Sequence, residues 1–221
     1  MKQYTAGFLG AGNMGGALAQ AAIRTAGAEN VILTCKTEAH TRAAAERLGC
    51  ASGPAAEIIR SSRFVFLGVK PQMLSALAEE LGGVIGETEC VLVSMLAGVT
   101  LERLEALFPG KRILRIMPNT PCAVGSGMLF LCRGSLAAEQ DAEAFRQLMA
   151  CAGRIDEIPE KWMDAASAVA GCGPAFAYMF VQALADGGVE CGLPRAKATE
   201  YAAATLEGAA RMVLETGQHP G

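Results

Sequence analysis

The sequence has few aromatic residues, few histidines and no basic block, and each shortage excludes a class of protein. Aromatic residues make up 5% of the 221 residues, and the histidines are His40 and His219. The net charge is −3 without a cluster of basic side chains, so nucleic acid is not expected as a partner. No apolar run approaches the roughly 18 residues that span a membrane, and the N-terminus lacks a signal-peptide pattern. We therefore expect a cytoplasmic protein without a membrane partner.

The eight cysteines lack the spacing of a metal site or of a disulfide framework. None are paired as CxxC, and two histidines are too few to supplement them as a clustered ligand set. We expect no metal, and we expect most thiols to be small buried apolar groups.

The residues that are abundant favour a packed α/β fold. The chain is 52% hydrophobic and contains 26 glycines, which suits tight turns between strands and helices. Apolar runs of strand length alternate with helical patterns through the first 158 residues, which predicts a doubly wound parallel sheet covered on both faces. The predicted strands are Thr5–Leu9, Val31–Thr34, Phe64–Gly68, Cys90–Ser94, Arg112–Met117, Gly127–Cys132 and Arg154–Ile158. The predicted helices are Met14–Thr25, Glu38–Leu48, Gln72–Leu81, Leu101–Leu107 and Ala137–Ala152.

The pattern changes after Pro159. Residues 161–216 contain helical stretches and no convincing strand, and Gly–Leu–Pro at residues 192–194 separates two helices. We therefore predict a Rossmann-type domain over residues 1–159 and an all-α domain over residues 160–221.

A glycine-rich turn near the N-terminus carries the most specific chemical signal. Gly10–Gly15 follows the first strand and opens the first helix with the spacing GxGxxG. Gly10 permits a tight turn, Gly12 lets a pyrophosphate approach the backbone, and Gly15 allows close packing of the helix. The context favours a dinucleotide site over a turn of purely structural purpose.

The end of the second strand bears on the choice between NAD and NADP. No carboxylate precedes Glu38, whereas Lys36 and the hydroxyls of Thr34 and Thr37 suit a 2′-phosphate. NADP(H) is therefore preferred, with NAD(H) as the alternative; Lys36 as a solvated loop residue is the competing interpretation.

Other strand ends should meet at the same edge of the sheet, where ligands bind in open α/β folds. The Asn119 side chain has an amide that could hydrogen-bond the nicotinamide carboxamide. Arg115 lies within a strand, where a charged side chain needs a partner, so we predict that it forms a buried structural ion pair rather than binding the substrate. Each loop alone is equally compatible with an ordinary connection. The cofactor-binding candidates are Gly10, Gly12, Asn13, Met14, Gly15, Lys36, Thr37, Val69, Lys70, Pro71, Ala97, Gly98 and Asn119.

Several motifs in order along the chain resemble those of pyrroline-5-carboxylate reductases. They are Gly7–Gly15, Val69–Gln72, Arg115–Pro121, Gly171–Ala175, Ala183–Val189, Gly192–Arg195 and Gln218–Gly221. The resemblance implies NAD(P)H-dependent hydride transfer to the C=N carbon of Δ1-pyrroline-5-carboxylate, giving L-proline. It also implies a helical domain that assembles with a second subunit, as a homodimer or a higher oligomer, and substrate-side candidates Gly171, Cys172, Gly173 and Pro174.

The sequence departs from the family pattern in ways that leave alternatives open. Ala170 and Cys172 stand where the family has serines, and Arg63 stands where it commonly has Asp. The family's Ser/Thr-Pro-Gly-Gly stretch after His-Pro-Gly is expected to be missing, so we expect weak or no turnover by this chain. The alternatives are a non-catalytic NADP-binding fragment or another NADP-dependent imine or β-hydroxyacid reductase, although Lys161 and Lys197 match no catalytic-lysine motif of the latter.

Overall fold

The computed structural model describes residues 2–220 and divides into two compact units. One unit extends to Gly171 and the other begins at Cys172. The sequence alone predicts a boundary at residue 159, and that domain assignment stays a prediction.

The first unit is built on an eight-stranded sheet whose order is β3-β2-β1-β4-β5-β6-β7-β8. All neighbouring strands are parallel except β6 and β7, which pair antiparallel. The mostly parallel, Rossmann-like sheet confirms the predicted fold class. The strands are β1 Tyr4–Leu9, β2 Val31–Thr34, β3 Ala51–Ser52, β4 Ser62–Leu67, β5 Val91–Ser94, β6 Arg112–Met117, β7 Gly127–Arg133 and β8 Gly153–Glu157.

Helices cover both faces of this sheet and bury two apolar clusters. One cluster packs β1 residues such as Phe8 against α1 and α6, and the other packs Val65 and Leu67 against α3, α4 and α5. Continuous burial from Phe64 to Leu67 in β4, and along β5, explains the apolar sequences of these stretches. The helices are α1 Asn13–Ala26, α2 Glu38–Leu48, α3 Ala55–Ser61, α4 Leu74–Gly86, α5 Leu101–Leu107, α6 Glu139–Leu148 and α7 Met163–Ala166.

The second unit consists of two helices, α8 Gly173–Glu190 and α9 Arg195–Thr216. Within the described part of residues 161–216 there is no strand, as the sequence predicts. Ala185, Ala198 and Ala202 form a small buried cluster between the two helices. Many large apolar side chains of this unit are exposed, among them Phe176, Tyr178, Met179, Phe180, Tyr201 and Met212.

The helical residues Glu160–Glu190 match a membrane span by length and apolar composition, and 6% of their most apolar window is buried. The expectation that the chain has no segment of this length is therefore wrong, because the small and polar residues that interrupt the apolar run still leave a mean hydropathy of 1.4. One such helix is weak evidence for a membrane, since an exposed interface helix has the same composition.

The cysteines are less buried than the sequence analysis expected. Cys90, Cys122 and Cys132 are buried, Cys172 and Cys191 are exposed, and the remaining three are half-buried. The expectation that most thiols are core residues is therefore wrong. Cys35 and Cys50 lie in loops, and the exposed Cys172 and Cys191 lie directly before and after the helix Gly173–Glu190.

We expect stability to fall at alkaline pH partly through Cys132. Burial raises the pKa of its thiol from 9.0 to about 11, and the nearby Glu160 carboxylate acts in the same direction. The native thiol stays protonated while the unfolded thiol ionises, so this contribution is present below about pH 9 and is lost as the pH rises towards 11. Denaturant unfolding at pH 8 and 10.5 measures the free energy of unfolding. That free energy should fall less between the two pH values in Cys132→Ala than in Cys191→Ala, the control at an exposed cysteine. Equal slopes in the two variants would contradict this assignment.

Candidate functional site

The glycine-rich turn lies where the strand order reverses, between β1 and β4. The Gly10 amide donates a hydrogen bond to the Thr34 carbonyl at 2.9 Å, and the Gly68 amide donates one to the Leu9 carbonyl, also at 2.9 Å. These two bonds join the ends of β1, β2 and β4. Open α/β sheets bind ligands beyond the carboxyl ends of the strands at such a reversal.

The close approach of three backbone segments requires glycine at Gly10, Gly15 and Gly68. Gly10 has φ +106°, and a Cβ added there would lie 2.5 Å from the Gly68 carbonyl oxygen. A Cβ at Gly15 or at Gly68 would lie 2.2 Å from the Gly10 carbonyl oxygen. From the sequence alone, Gly68 was predicted only as the end of a strand. Its position after an apolar run, like that of Gly10 after β1, was the available signal.

Gly12 differs from these glycines because it faces open space. It is exposed, and among the described residues no heavy atom lies within 4 Å of the position that its Cβ would occupy. It is the N-cap of α1, which has no side-chain cap and no acidic residue in its first turn. The first amides of α1 are therefore available to an anion, together with the positive end of the helix dipole.

The end of β2 presents one exposed cation and one hydroxyl that is already hydrogen-bonded. Lys36 is exposed and directly precedes Thr37, the N-cap residue of α2. The Thr37 hydroxyl caps α2 by accepting from the His40 amide at 3.2 Å, and it lies 3.0 Å from His40 Nδ1. Lys36 thus remains the better candidate for a phosphate at this end, and the Thr37 hydroxyl has its own structural role.

The other candidate loops follow β4 and β5 at the same edge of the parallel sheet. Lys70 and Pro71 are exposed after β4, where Val69 is half-buried. Ala97 and Gly98 are exposed after β5, and Gly98 has φ +73°. The topology brings these loops to the edge that carries the glycine-rich turn. Their direct contacts with a cofactor remain predictions, as do those of Asn13 and Met14 in the turn itself.

Asn119 is buried in the loop after β6 and is already bonded within the fold. Its Nδ2 donates to the Ala170 carbonyl at 2.9 Å, and its Oδ1 accepts from the Met128 amide at 2.9 Å. A further contact at 3.9 Å joins Oδ1 to the Cys122 thiol. One Nδ2 hydrogen remains for the predicted nicotinamide contact, which stays a prediction.

Arg115 forms the buried ion pair that the sequence analysis favoured. Its side chain is 4% exposed, and Nη1 donates to Glu160 Oε1 at 2.5 Å. The same carboxylate oxygen accepts from the Leu101 amide at 2.7 Å, in the first turn of α5. Glu160 therefore ties β6 to the start of α5. The sequence offered no signal for this partner, which lies 45 residues away.

The substrate-side candidates fall on both sides of the unit boundary. Gly171 ends the π-helical turn Ser167–Gly171 of the first unit and is exposed. Cys172 is exposed, and Gly173 and Pro174 begin α8 in the second unit.

Arg63 is exposed, as expected for a surface position. Within residues 2–220, no group of three or more His, Cys, Asp or Glu side chains is placed to hold a metal.

Two family models match successive parts of the chain. Residues 5–98 match the model described as NADP oxidoreductase coenzyme F420-dependent. Residues 160–221 match the model described as pyrroline-5-carboxylate reductase dimerisation.

Curated relatives and solved structures agree with these models. A pyrroline-5-carboxylate reductase from Glycine max is 37% identical over 100% of this chain and 81% of its own length. Pyrroline-5-carboxylate reductase 3 from Macaca fascicularis is 37% identical over 97% of this chain and 79% of its own length.

Among solved structures, the NADP-bound pyrroline carboxylate reductase of Plasmodium falciparum has a TM-score of 0.87 and 28% identity, covering 100% of this chain and 82% of that chain. The enzyme of Coxiella burnetii has a TM-score of 0.88 and 26% identity, with coverage of 99% and 83%. Identity above one third over nearly the whole length shows that this chain belongs to the pyrroline-5-carboxylate reductase family.

Proposed function

We propose that this chain reduces Δ1-pyrroline-5-carboxylate to L-proline with NADPH, which is the last step of proline biosynthesis. Family membership supports the substrate and the reaction. The single observation that carries the cofactor assignment is the turn at Gly12, where the first amides of α1 face open space at the reversal of strand order.

The residues of the turn fit a dinucleotide. The first amides of α1 would hold the pyrophosphate of a bound dinucleotide, and Lys36 would neutralise part of the charge of its 2′-phosphate. Val69 and Lys70 after β4, and Ala97 and Gly98 after β5, would contact its ribose and nicotinamide. When bound, NADPH supplies the hydride. NADPH is the preferred cofactor, and NADH is the alternative.

The reaction demands little acid–base chemistry from side chains. A cyclic imine is basic enough to arrive partly protonated, so the ring nitrogen already carries the proton that the product amine keeps. Hydride addition to the C=N carbon then completes the reduction. The protein has to orient the ring and hold its carboxylate, tasks that we assign in part to the backbone of Gly171–Pro174.

Residues 160–221 serve as a dimerisation and substrate domain in this proposal. The match to the dimerisation model and the exposed apolar side chains of α8 and α9 support a second copy of this chain as the partner. We place the homodimer, or a higher oligomer of it, in the cytoplasm, with no nucleic acid and no membrane bound.

The proposal is tested by NADPH oxidation in the presence of Δ1-pyrroline-5-carboxylate, with L-proline measured as the product. Slow formation of proline, in proportion to the NADPH consumed, is the expected result, because Ala170 and Cys172 replace two serines of the family pattern. NADPH binding without turnover would favour a non-catalytic cofactor-binding protein. Turnover of other cyclic imines or of β-hydroxyacids, but not of this substrate, would favour another reductase on the same scaffold.

Reversing the charge at Lys36 should separate the two cofactors. Lys36→Glu is expected to raise the Kd for NADPH by about tenfold or more, because a carboxylate replaces an ammonium next to the 2′-phosphate. The Kd for NADH should change by less than about threefold, since NADH lacks that phosphate. Fluorescence titration with each cofactor measures both values. Lys161→Glu, which reverses another exposed charge outside the candidate cofactor loops, is the control. Equal losses for NADPH and NADH would remove Lys36 from the 2′-phosphate site.

A further inference from the structure

The carbonyl of Ala170 lacks the donor that a regular helix would provide. In an α-helix the carbonyl of residue 170 accepts from the amide of residue 174. Residue 174 is a proline, which has no amide hydrogen. The Ala175 amide donates to the Cys172 carbonyl at 3.1 Å. Ala170 is half-buried in the π-helical turn Ser167–Gly171, so its carbonyl needs another partner.

Asn119 supplies that partner from a distant part of the sequence. Its Nδ2 donates to the Ala170 carbonyl at 2.9 Å across 51 residues of chain. Its Oδ1 accepts from the Met128 amide at 2.9 Å, so the amide plane is fixed from both ends. The residue is 8% exposed, which makes these bonds costly to lose. One side chain thus joins the loop after β6, the start of β7 and the end of the π-helical turn.

We propose that Asn119 is a positioning residue that holds Ala170 and Gly171 in place through the Ala170 carbonyl. These are the first residues of the segment to which we assign orientation of the imine, so this inference rests on the proposed function. Asn119 acts on the substrate through that segment, and the Ala170 bond, rather than a nicotinamide contact, is its main contribution. π-Helical turns of this kind often occur at functional sites.

Two substitutions separate the Ala170 bond from the Met128 bond. Asn119→Asp keeps an oxygen that accepts from the Met128 amide but removes the donor to Ala170, whereas Asn119→Ala removes both. We expect both variants to raise the KM for Δ1-pyrroline-5-carboxylate by about tenfold, with the Kd for NADPH within about twofold of the original. A larger loss of NADPH affinity than of imine affinity would instead place Asn119 against the nicotinamide and overturn the proposal.

A rescue experiment tests the role of Pro174 directly. Pro174→Ala restores an amide that can donate to the Ala170 carbonyl in the ordinary helical pattern. In the Asn119→Ala background it should recover a substantial part of the lost imine affinity, giving a non-additive double-mutant cycle. Additive or worse effects of the two substitutions would contradict the proposal.

Hydrogen exchange provides a readout that does not depend on turnover. Amides of residues 168–173 should exchange faster in Asn119→Ala, and Pro174→Ala should slow them again. If the wild-type chain fails to reduce the imine, the proposed function fails, yet this measurement still decides the positioning role. Unchanged exchange in Asn119→Ala would overturn it.

Discussion

Gly12→Asp is expected to raise the Kd for NADPH by at least about 100-fold while leaving the fold intact. The position is free of steric conflict, since nothing described lies within 4 Å of the added Cβ, and its backbone has φ −68° and ψ −157°. Asp is a favourable N-cap residue, so α1 should be as stable as before or slightly more stable. The carboxylate would, however, occupy the site of the pyrophosphate with the same sign of charge.

The pairing of lost affinity with retained stability distinguishes this effect from misfolding. Thermal unfolding and NADPH titration should be measured on the same preparations. Gly12→Asn separates the size of the side chain from its charge and should lose less affinity than Gly12→Asp. Gly83→Asp, at an exposed position in α4 with equally open space, serves as the control and should bind NADPH normally. Unchanged affinity in Gly12→Asp would refute the cofactor site.

Arg115→Met should lower the free energy of unfolding by about 2 kcal/mol, because it leaves the Glu160 carboxylate without its cation. The loss is moderated because the Glu160 side chain is 32% exposed and keeps its bond from the Leu101 amide. Adding Glu160→Gln should recover part of the loss, since the uncompensated charge is then absent. Denaturant unfolding of the two single variants and the double variant measures this coupling.

An exposed ion pair gives the matching control for Arg115. Arg42 pairs with Glu38 at 2.9 Å within one helix, and both side chains are largely exposed. Arg42→Met should cost less than about 0.5 kcal/mol. If Arg115→Met left stability unchanged but raised the KM for the imine, Arg115 would be a substrate residue and its structural assignment would be wrong.

The glycine-rich turn and the main strands could be predicted because their signals are local. Gly10, Gly12 and Gly15 have a fixed spacing, and the apolar runs of β1, β4 and β5 are bounded by turns. The strand β3 was missed because two residues are too few to show a hydrophobic period. Helix α3 was also missed, although it is as long as α5, which the sequence did predict. The antiparallel direction of β7 was also missed, since an apolar run carries no information about direction.

The contacts that complete the candidate site are distant in sequence and could not be predicted residue by residue. A lone arginine in a strand signalled an ion pair, but nothing identified Glu160 as the partner of Arg115. Asn119 was singled out for its amide, yet its bond to Ala170 depends on the packing of two segments 51 residues apart. Local spacing therefore located the cofactor turn, whereas the links between segments required the folded chain.

The two edges of the sheet are poor templates for adding a strand from another molecule. At one edge, β3 has two residues, which is too short to present a ladder of free amides and carbonyls. At the other edge, β8 carries the exposed charged side chains of Arg154 and Asp156. Short or charged edge strands oppose hydrogen bonding to the edge strand of another molecule. Two copies of this chain that meet at high concentration are therefore not expected to join their sheets edge to edge. Association is thereby restricted to surfaces outside the sheet, which protects the first unit from strand-mediated aggregation.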